Sequence, residues 1–263
     1  MNNTHKSRFL SGFRFKQFTV RQDRCPMKVG TDGVLLGAWA AVRPQDRRML
    51  DIGTGTGLIA LMLAQRAPEA HVTGVDIDDV GQARENAAAS PWSGRVAFAQ
   101  CPVQEFETPE PFDLIVSNPP FFVDSLTCPD GGRTARHAVH LPFGDLRDAV
   151  LRLLAPGGRF AVILPTAEAE RFLAVCAGRL ALVRRTDVRT TPRRPAKRAL
   201  MEFVRADRPA APPADCSADR PADPPADCSA AVPEVSELVV GTGEHECYTP
   251  EYRALTRDFY LKF

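Results

Sequence analysis

The sequence Asn118-Pro119-Pro120-Phe121 combines residue types that could hold and orient a planar amine. It follows an apolar run at residues 112–117 that has the pattern of a buried strand. The side-chain oxygen of Asn118 and the carbonyl of Pro119 can each accept one N–H, and neither proline offers a competing backbone donor. Phe121 can stack on a ring. These four residues are the predicted catalytic motif, although Asn and Pro also form ordinary turns.

A glycine-rich turn between a strand and a helix lies upstream of this motif. Asp51 belongs to a short apolar strand at residues 49–52, and Gly53, Gly55 and Gly57 follow it in alternation with threonine. Glycine at such a turn lets the backbone approach a bound cofactor closely. A nicotinamide-type G-x-G-x-x-G fingerprint would need glycine at position 58, where the chain has leucine. The acid at the strand end suits a cationic cofactor better than a pyrophosphate.

A second acid follows the next predicted strand. Residues 72–75 are apolar, and Asp76 comes 19 residues after Gly57. A carboxylate at this place can accept both hydroxyls of a ribose. Ligands of open α/β sheets bind outside the carboxyl ends of the strands, so we expect Asp51, the glycine turn, Asp76 and Asn118 to line one crevice.

The elements that position these residues follow an alternating order. Short apolar strands and helices alternate from residue 49, which predicts an α/β fold with a doubly wound, mostly parallel sheet. Residues 182–188 and 199–204 are expected to end it as an antiparallel hairpin. Either Thr31 or Asp32 is expected to cap a helix starting near residue 34, and Asp78 a helix starting at residue 80. Alternating aromatics at Phe13 and Phe15 predict a short N-terminal strand or hairpin packed on the domain.

The composition narrows the class of protein. Of 263 residues, 44% are hydrophobic and 25% charged, as in ordinary globular domains. No apolar run matches a membrane span or the core of a signal peptide, so we expect no membrane partner and a cytoplasmic location. The seven cysteines include no CxxC pair and are expected to be reduced thiols. We expect no metal site.

Two stretches concentrate positive charge in a chain whose formal net charge is only +1. Seven cations and several phenylalanines lie between Lys6 and Lys28, and seven cations lie in the fifteen residues from Arg184 to Arg198. Such clusters suit phosphates and stacked bases, although a solvated charged surface would have the same pattern. The candidate substrate-binding residues are Arg133, Arg136, His137, Arg193 and Arg194.

Residues 206–232 differ in kind from the rest of the chain. They consist largely of Pro, Ala, Asp and Ser, and a Pro-Ala-Asp-Cys-Ser-Ala sequence at position 213 recurs at position 225. Such a segment cannot bury enough apolar surface to order itself. It is predicted to be a disordered insertion.

The motifs together resemble class I S-adenosylmethionine-dependent methyltransferases that act on amino groups, over about residues 26–205. Three further stretches resemble the bacterial valine-tRNA (adenine-37-N6)-methyltransferase family. They are Phe-Lys-Gln-Phe at 15–18, the stretch from Lys28 to Trp39, and the ending from Tyr248 to Phe263.

This resemblance implies a Rossmann-like, mostly parallel seven-stranded sheet with a terminal antiparallel hairpin. It implies an enzyme that uses S-adenosylmethionine and acts on tRNA, with no obligate protein partner. The chain would divide into a basic segment (1–25), a methyltransferase domain (26–205), the insertion (206–232) and a completing strand and helix (233–263).

The resemblance also implies roles for individual residues. The turn with Asp51 would surround the methionine part of the cofactor, and Asp76 would bind its ribose. Asn118 and Pro119 would hold the target amine, beneath a stacking Phe121. Lys28, Thr31 and Asp32 would close over the methionine end of the cofactor. The complete cofactor-binding set is Lys28, Thr31, Asp32, Asp51, Gly53, Gly55, Gly57, Asp76, Gln104 and Asn118.

One departure and two alternatives remain open. Such enzymes usually carry an acid after the third strand for the cofactor's adenine, and Pro102 stands there, so the contact would come from the backbone or from a neighbour such as Gln104. The same Asn-Pro-Pro signature occurs in methyltransferases acting on guanine N2, on DNA adenine or on protein glutamine. A non-catalytic RNA-binding module is the other alternative, and the intact motif argues against it.

Overall fold

The computed structural model describes residues 12–25, 28–120, 141–206 and 232–263. Phe121 lies outside the described residues, as do the candidate phosphate ligands Arg133, Arg136 and His137. Most of the predicted insertion and the first eleven residues also lie outside them.

Strands and helices alternate along the described chain as the sequence pattern predicts. In chain order they are β1 (Gly12–Arg14), β2 (Thr19–Arg21), α1 (Thr31–Trp39), β3 (Arg48–Ile52), α2 (Leu58–Arg66), β4 (His71–Asp76), α3 (Gly81–Ala88), β5 (Val96–Gln100), β6 (Phe112–Ser117), α4 (Phe143–Leu153), β7 (Leu154–Pro165), α5 (Thr166–Cys176), β8 (Leu180–Arg189), β9 (Ala196–Arg205), β10 (Glu234–Val239) and α6 (Pro250–Thr256). In the described part of the chain, no helix has the length and apolarity that crossing a membrane would require.

The main sheet has the strand order β10-β8-β9-β7-β6-β3-β4-β5. All neighbours are parallel except β9, which runs antiparallel to both β7 and β8. This confirms the predicted doubly wound, mostly parallel α/β sheet with its antiparallel hairpin. The sheet has eight strands where the resemblance implies seven, because β10 adds in parallel to the outer edge of β8.

Helices cover both faces of this sheet, as buried parallel strands require. On one face, α1, α2 and α3 pack with the N-terminal and C-terminal segments into one apolar cluster. On the other face, α4 and α5 form a second cluster with the alternate residues of the same strands. With both faces of the sheet covered, a ligand can approach the central strands at their ends. In open α/β sheets the ligand binds outside the carboxyl ends.

The N-terminal segment forms the predicted hairpin. β1 and β2 pair antiparallel, and Phe15 and Phe18 between them are buried and stacked with ring centroids 4.7 Å apart. Phe18 also meets Trp92 edge-on at 5.5 Å, and Phe15 stacks on Tyr260 at 6.0 Å. The aromatic residues of this segment therefore serve to pack it on the domain.

Two predicted helix caps were wrong. α1 begins at Thr31 after Gly30 and no side chain caps it; Thr31 and Asp32 are its first two residues, and Asp32 forms an ion pair with Arg198 at 2.7 Å. α3 begins at Gly81 rather than after Asp78, and the nearby Asp79 accepts the N–H of Gly81 within a local turn. In both cases the helix begins at a residue other than the predicted one, and the acids beside the start bind other groups.

Candidate active site

Three adjacent strands bring the predicted motifs to one edge of the sheet. β6, β3 and β4 are neighbours, with Ser117 paired to Ile52 and Ile52 paired to Val75 in register. The hydroxyl of Ser117 donates to the carbonyl of Ile52 at 2.9 Å, which ties the two strand ends together. Because neighbouring strands lie about 4.8 Å apart, Asn118, the glycine turn and the end of β4 lie within about 10 Å of one another.

The backbone of the glycine turn is fixed by β4. The N–H groups of Gly53 and Thr54 both donate to the carbonyl of Val75, at 2.9 and 3.1 Å. Gly53 and Gly57 have φ of 73° and 79°, in the left-handed region that other residues adopt only with strain. A Cβ on Gly57 would lie 2.8 Å from the Phe98 ring, whereas one on Gly53 would meet nothing within 4 Å. Gly57 is therefore required by packing, and Gly53 faces open space.

Asp51 is a fully buried acid with an unused oxygen. Its Oδ2 accepts from the Thr54 hydroxyl at 2.7 Å and from the Ala60 N–H at 3.2 Å, while Oδ1 has no partner among the described residues. Burial raises the pKa of Asp51 to about 7, the two hydrogen bonds oppose this shift, and the charge of Asp76 adds to it. A positively charged or N–H-bearing ligand would satisfy Oδ1 and favour the ionised carboxylate.

Asp76, at the end of β4, binds the backbone of the glycine turn. Its Oδ2 accepts from the Gly55 N–H at 2.8 Å, and its Oδ1 from the Asp78 N–H at 3.1 Å. Burial raises the pKa of Asp76, and these N–H donors act in the opposite direction. Each carboxylate oxygen retains a lone pair for a further donor, such as a ribose hydroxyl.

Ile77 follows Asp76 at the end of β4, and the sequence reasoning did not single it out. It is 40% exposed, which sets it apart from the buried apolar residues of the neighbouring strands. An apolar side chain between a strand and a turn gives no sequence signal of its own, since exposure is known only from the fold.

Asn118 carries the second unused oxygen at this edge. Its Oδ1 is buried and has no partner among the described residues. Pro119 beside it is buried and Pro120 is exposed, so the pair of prolines leaves the sheet at this point. Buried polar atoms almost always have a partner, and one without a partner at a strand end indicates a place for a ligand donor.

Comparisons with known proteins agree with this arrangement. Residues 45–191 match a family described as a methyltransferase domain. A tRNA1(Val) (adenine(37)-N6)-methyltransferase of Bacteroides thetaiotaomicron is 43% identical over 254 residues, covering 95% of this chain and 97% of the relative. The protein of the same description from Phocaeicola vulgatus is 45% identical with the same coverage. The chain belongs to this family.

A solved structure supports the fold independently. A predicted O-methyltransferase from Agrobacterium tumefaciens superposes with a TM-score of 0.61 at 19% identity, covering 86% of this chain and 96% of that one. At this identity the likeness concerns the fold alone. Together with the family match it confirms a class I methyltransferase, an enzyme that uses S-adenosylmethionine.

The residues of the structure fit this cofactor. Asp51 Oδ1 is a buried oxygen able to accept from a cation or donor, Asp76 can accept ribose hydroxyls, and space is open above Gly53. No group of three or more candidate metal ligands lies together within the described ranges.

Three further predicted cofactor residues lie along the entrance to α1. A Cβ on Gly33 would lie 3.1 Å from the side chain of Leu58, so the first turn of α1 flanks the helix that follows the glycine turn. Thr31 and Lys28 are exposed, and the Lys28 ammonium donates to the carbonyl of Gln22. Asp32 is held by Arg198. Their contacts to the cofactor remain predictions.

The segment after β5 gives Gln104 a different partner. The Gln104 side-chain amide is exposed and donates to Asp145 at 3.1 Å, on α4. The Cys101 N–H donates to the Asp76 carbonyl at 2.9 Å, which keeps the start of this segment beside β4. Pro102 is half-buried there. The adenine-binding role of Gln104 stays a prediction and would require its amide to leave Asp145.

The β8–β9 hairpin is not the continuous cationic patch that its sequence suggests. Four of its seven cations have internal partners: Arg184 pairs with Glu202 and stacks on Trp39, Arg185 pairs with Glu170 and Asp187, Arg189 pairs with Glu237, and Arg198 pairs with Asp32. Arg193, Arg194 and Lys197 are exposed, and their side chains form no hydrogen bond or ion pair within the described chain. We call these three residues the turn cations.

Two described cations of the N-terminal cluster also have partners within the chain. Arg24 pairs with Glu85, and the Lys16 ammonium donates to the carbonyls of Arg257 and Phe263 at 2.5 and 2.8 Å. These cations hold the segment to the domain. Its charge count therefore overstates what a nucleic acid could contact.

Proposed function

We propose that this enzyme transfers the methyl group of S-adenosylmethionine to N6 of an adenine in tRNA, in the cytoplasm. Adenine 37 of a valine tRNA, the target in the names of its relatives, is the proposed site. The single observation that carries the proposal is the buried, unpartnered Oδ1 of Asn118, one strand away from the glycine turn.

The chemistry of the adenine amine explains why such an oxygen is needed. The N6 lone pair is delocalised into the ring and is a poor nucleophile. When Asn118 Oδ1 and the Pro119 carbonyl accept its two N–H groups, the lone pair localises and its direction is fixed. When bound, S-adenosylmethionine would supply an electrophilic methyl group on a sulfonium. The N6 nitrogen would form a bond to this methyl group as the sulfur–methyl bond breaks, S-adenosylhomocysteine would leave as the neutral thioether, and the nitrogen would release one proton to solvent. Positioning and electrostatics then provide the rate without a covalent enzyme intermediate.

The cofactor would be held by the two acids of the neighbouring strands. Asp51 offers its free oxygen to positive charge or N–H donors, and Asp76 offers lone pairs to the ribose hydroxyls. Gly53 leaves room for the cofactor above the turn. Lys28, Thr31 and Asp32 would close the methionine end.

The tRNA would approach over the turn cations. β9 begins opposite the end of β7, with Arg198 paired to Pro165, so the turn between β8 and β9 lies at the same edge as Asn118. Two strand spacings separate β9 from β6, or about 10 Å. A base splayed from a loop could therefore reach Asn118 while adjacent phosphates contact Arg193 and Arg194. Arg133, Arg136 and His137 are proposed to bind phosphates nearer the motif.

Other amino-group substrates would use the same acceptors. Guanine N2, DNA adenine and protein glutamine all present an NH2 that Asn118 and Pro119 could hold, so the motif alone does not separate them. Membership of the tRNA family favours tRNA over these substrates. The free oxygen of Asn118 favours catalysis over a binding-only module.

The direct test is methyl transfer from labelled S-adenosylmethionine to unmodified tRNA, ribosomal RNA, DNA and protein in parallel. We expect label in tRNA as N6-methyladenine, with valine tRNA the best substrate, and almost none with Asn118→Ala. Preferential labelling of DNA, ribosomal RNA or protein would contradict the proposed substrate. Cofactor binding without transfer to any of them would contradict the proposed activity.

A further inference from the structure

A single buried amide joins the N-terminal segment to the glycine turn. Asn86 on α3 is 1% exposed, and its Nδ2 donates to the carbonyls of Thr56 and Arg21 at 2.9 and 3.0 Å. Its Oδ1 accepts from the Arg21 N–H at 2.8 Å. Asn86 thus connects α3, the glycine turn and β2 through three hydrogen bonds.

A second buried amide lies one turn earlier on the same face of α3. Gln82 is 3% exposed; its Oε1 accepts from the Arg24 N–H at 3.1 Å, and its Nε2 donates to Asp23 Oδ1 at 2.7 Å. Residues four apart on a helix share a face, so both amides meet one stretch of chain. Together Asn86 and Gln82 form what we call the amide clamp, which holds residues 21–24.

The clamped stretch runs directly past the glycine turn. A Cβ built on Gly55 would lie 3.8 Å from the sulfur of Cys25, so this segment borders the turn. The chain is tied again downstream, where the Val29 N–H donates to Gln22 Oε1 at 2.6 Å. It then enters α1 at Thr31.

The hairpin that carries this stretch cannot place it alone. β1 and β2 have three residues each, and an isolated two-stranded hairpin is marginally stable at best. An amide supplies both a donor and an acceptor, which the Arg21 N–H and carbonyl require of Asn86. A carboxylate at either clamp position would lack the donor.

We propose that Asn86 and Gln82 are positioning residues that hold residues 21–25 as one wall of the cofactor site. The inference rests on the cofactor site of the proposed function and adds two residues that contact no substrate. A wall that is already ordered need not be ordered when the cofactor binds, so the clamp raises cofactor affinity. It does not act on the target amine, so turnover at saturating cofactor is independent of it.

An exchange of donor and acceptor tests this directly. Gln82→Glu places a carboxylate against Asp23 and repels the segment, whereas the double variant Gln82→Glu/Asp23→Asn restores one hydrogen bond with the roles reversed. We expect Gln82→Glu to weaken S-adenosylmethionine binding about tenfold by calorimetry, which is the size of one hydrogen bond to a charged group, and the double variant to recover most of it. Maximal turnover should change less than about twofold.

A matched control separates positioning from general stability. Gln65 on α2 donates its side-chain amide to the carbonyl of Asp258 at 2.9 Å, away from the glycine turn. Gln65→Glu should lower the melting temperature and leave cofactor affinity unchanged. Hydrogen exchange should show faster exchange of residues 21–25 in Gln82→Glu only.

The outcomes distinguish the clamp from the proposed function. Wild-type affinity in Gln82→Glu, or no recovery in the double variant, would overturn the clamp while methyl transfer by the wild type stands. A wild-type protein that does not bind S-adenosylmethionine would overturn both. Loss of affinity in Gln65→Glu equal to that in Gln82→Glu would assign the effect to stability and overturn the clamp.

Discussion

The glycine turn and the β8–β9 hairpin lie at the same edge of the sheet, but they differ in whether their polar side chains have partners within the chain. Beside the turn, Asp51 and Asn118 each keep one buried oxygen without a partner in the described chain. In the hairpin, four of the seven cations are neutralised by acids of the same chain. Single unpartnered buried atoms also occur at Arg48, Gln65, Arg159 and Arg184, so it is the meeting of two such oxygens at adjacent strand ends that points to a ligand, which a count of charged residues does not.

The largest effect should follow from removing the free oxygen of Asn118. Asn118→Ala should lower turnover by about 10²–10³-fold, the usual consequence of deleting one interaction with the reacting group. Cofactor affinity, measured by calorimetry, should change far less than turnover. Asn118→Asp keeps an acceptor and should lose less turnover. Turnover near wild type in Asn118→Ala would remove the amine-holding role.

Removing the charge of Asp51 should weaken cofactor binding and stabilise the folded protein. The pKa of Asp51 is raised from 3.8 to about 7, so the folded protein binds more protons there than the unfolded chain, and stability falls as pH rises through that window. Asp51→Asn keeps an oxygen for Thr54 and Ala60 and should raise the melting temperature at pH 8 but not at pH 4. It should weaken S-adenosylmethionine binding by about tenfold or more, since the carboxylate charge is lost.

The control for this prediction is a buried acid that, unlike Asp51, has a counter-ion. Asp46 pairs with Arg159 at 2.6 Å, and both side chains are 2% exposed. Asp46→Asn should destabilise the protein by roughly 3–5 kcal/mol, because it leaves a buried guanidinium without its counter-ion. If Asp51→Asn and Asp46→Asn shifted the melting temperature in the same direction at pH 8, the distinction between a buried carboxylate without a counter-ion and an ion-paired one would be wrong.

The same distinction explains what the sequence could predict. The glycine turn can be recognised locally, since Asp51, three alternating glycines and the following helix lie within a few residues, although Val75 and Asp76 of β4 hold its backbone. The ion partners of the hairpin are not local: Asp32 is 166 positions from Arg198, and Glu237 is 48 from Arg189. Only the fold brings them together.

The amide clamp shows a further limit. Asn86 and Gln82 are ordinary polar residues of a helix, and their burial depends on a hairpin about 60 positions upstream. Asp32, one of the predicted caps of α1, is likewise bound by an arginine distant in sequence. Local spacing predicted the fold and the strand-end motifs, while tertiary partners decided which polar residues remain available.

The smallest effect is expected in the hairpin. Removing one phosphate-binding cation should lower the slope of log affinity against log salt by about 0.7–0.9. Arg193→Ala/Arg194→Ala should therefore weaken tRNA binding and flatten this slope, leaving cofactor affinity unchanged. Arg185→Ala is the control, because Glu170 and Asp187 already bind that guanidinium. If the salt-dependence slope were unchanged in Arg193→Ala/Arg194→Ala, the turn cations would not be part of the RNA-binding surface.

The central claim is that the unpartnered oxygen of Asn118 receives the N6 amine of a tRNA adenine. Single-turnover methylation can test it with two valine-tRNA anticodon stem-loops, one with adenine at the target position 37 named in the relatives and one with purine, which lacks the amine. We predict methylation of the adenine substrate at N6, none of the purine substrate, and competitive binding of both. Methylation of the purine substrate, or of another atom in the adenine one, would contradict the account.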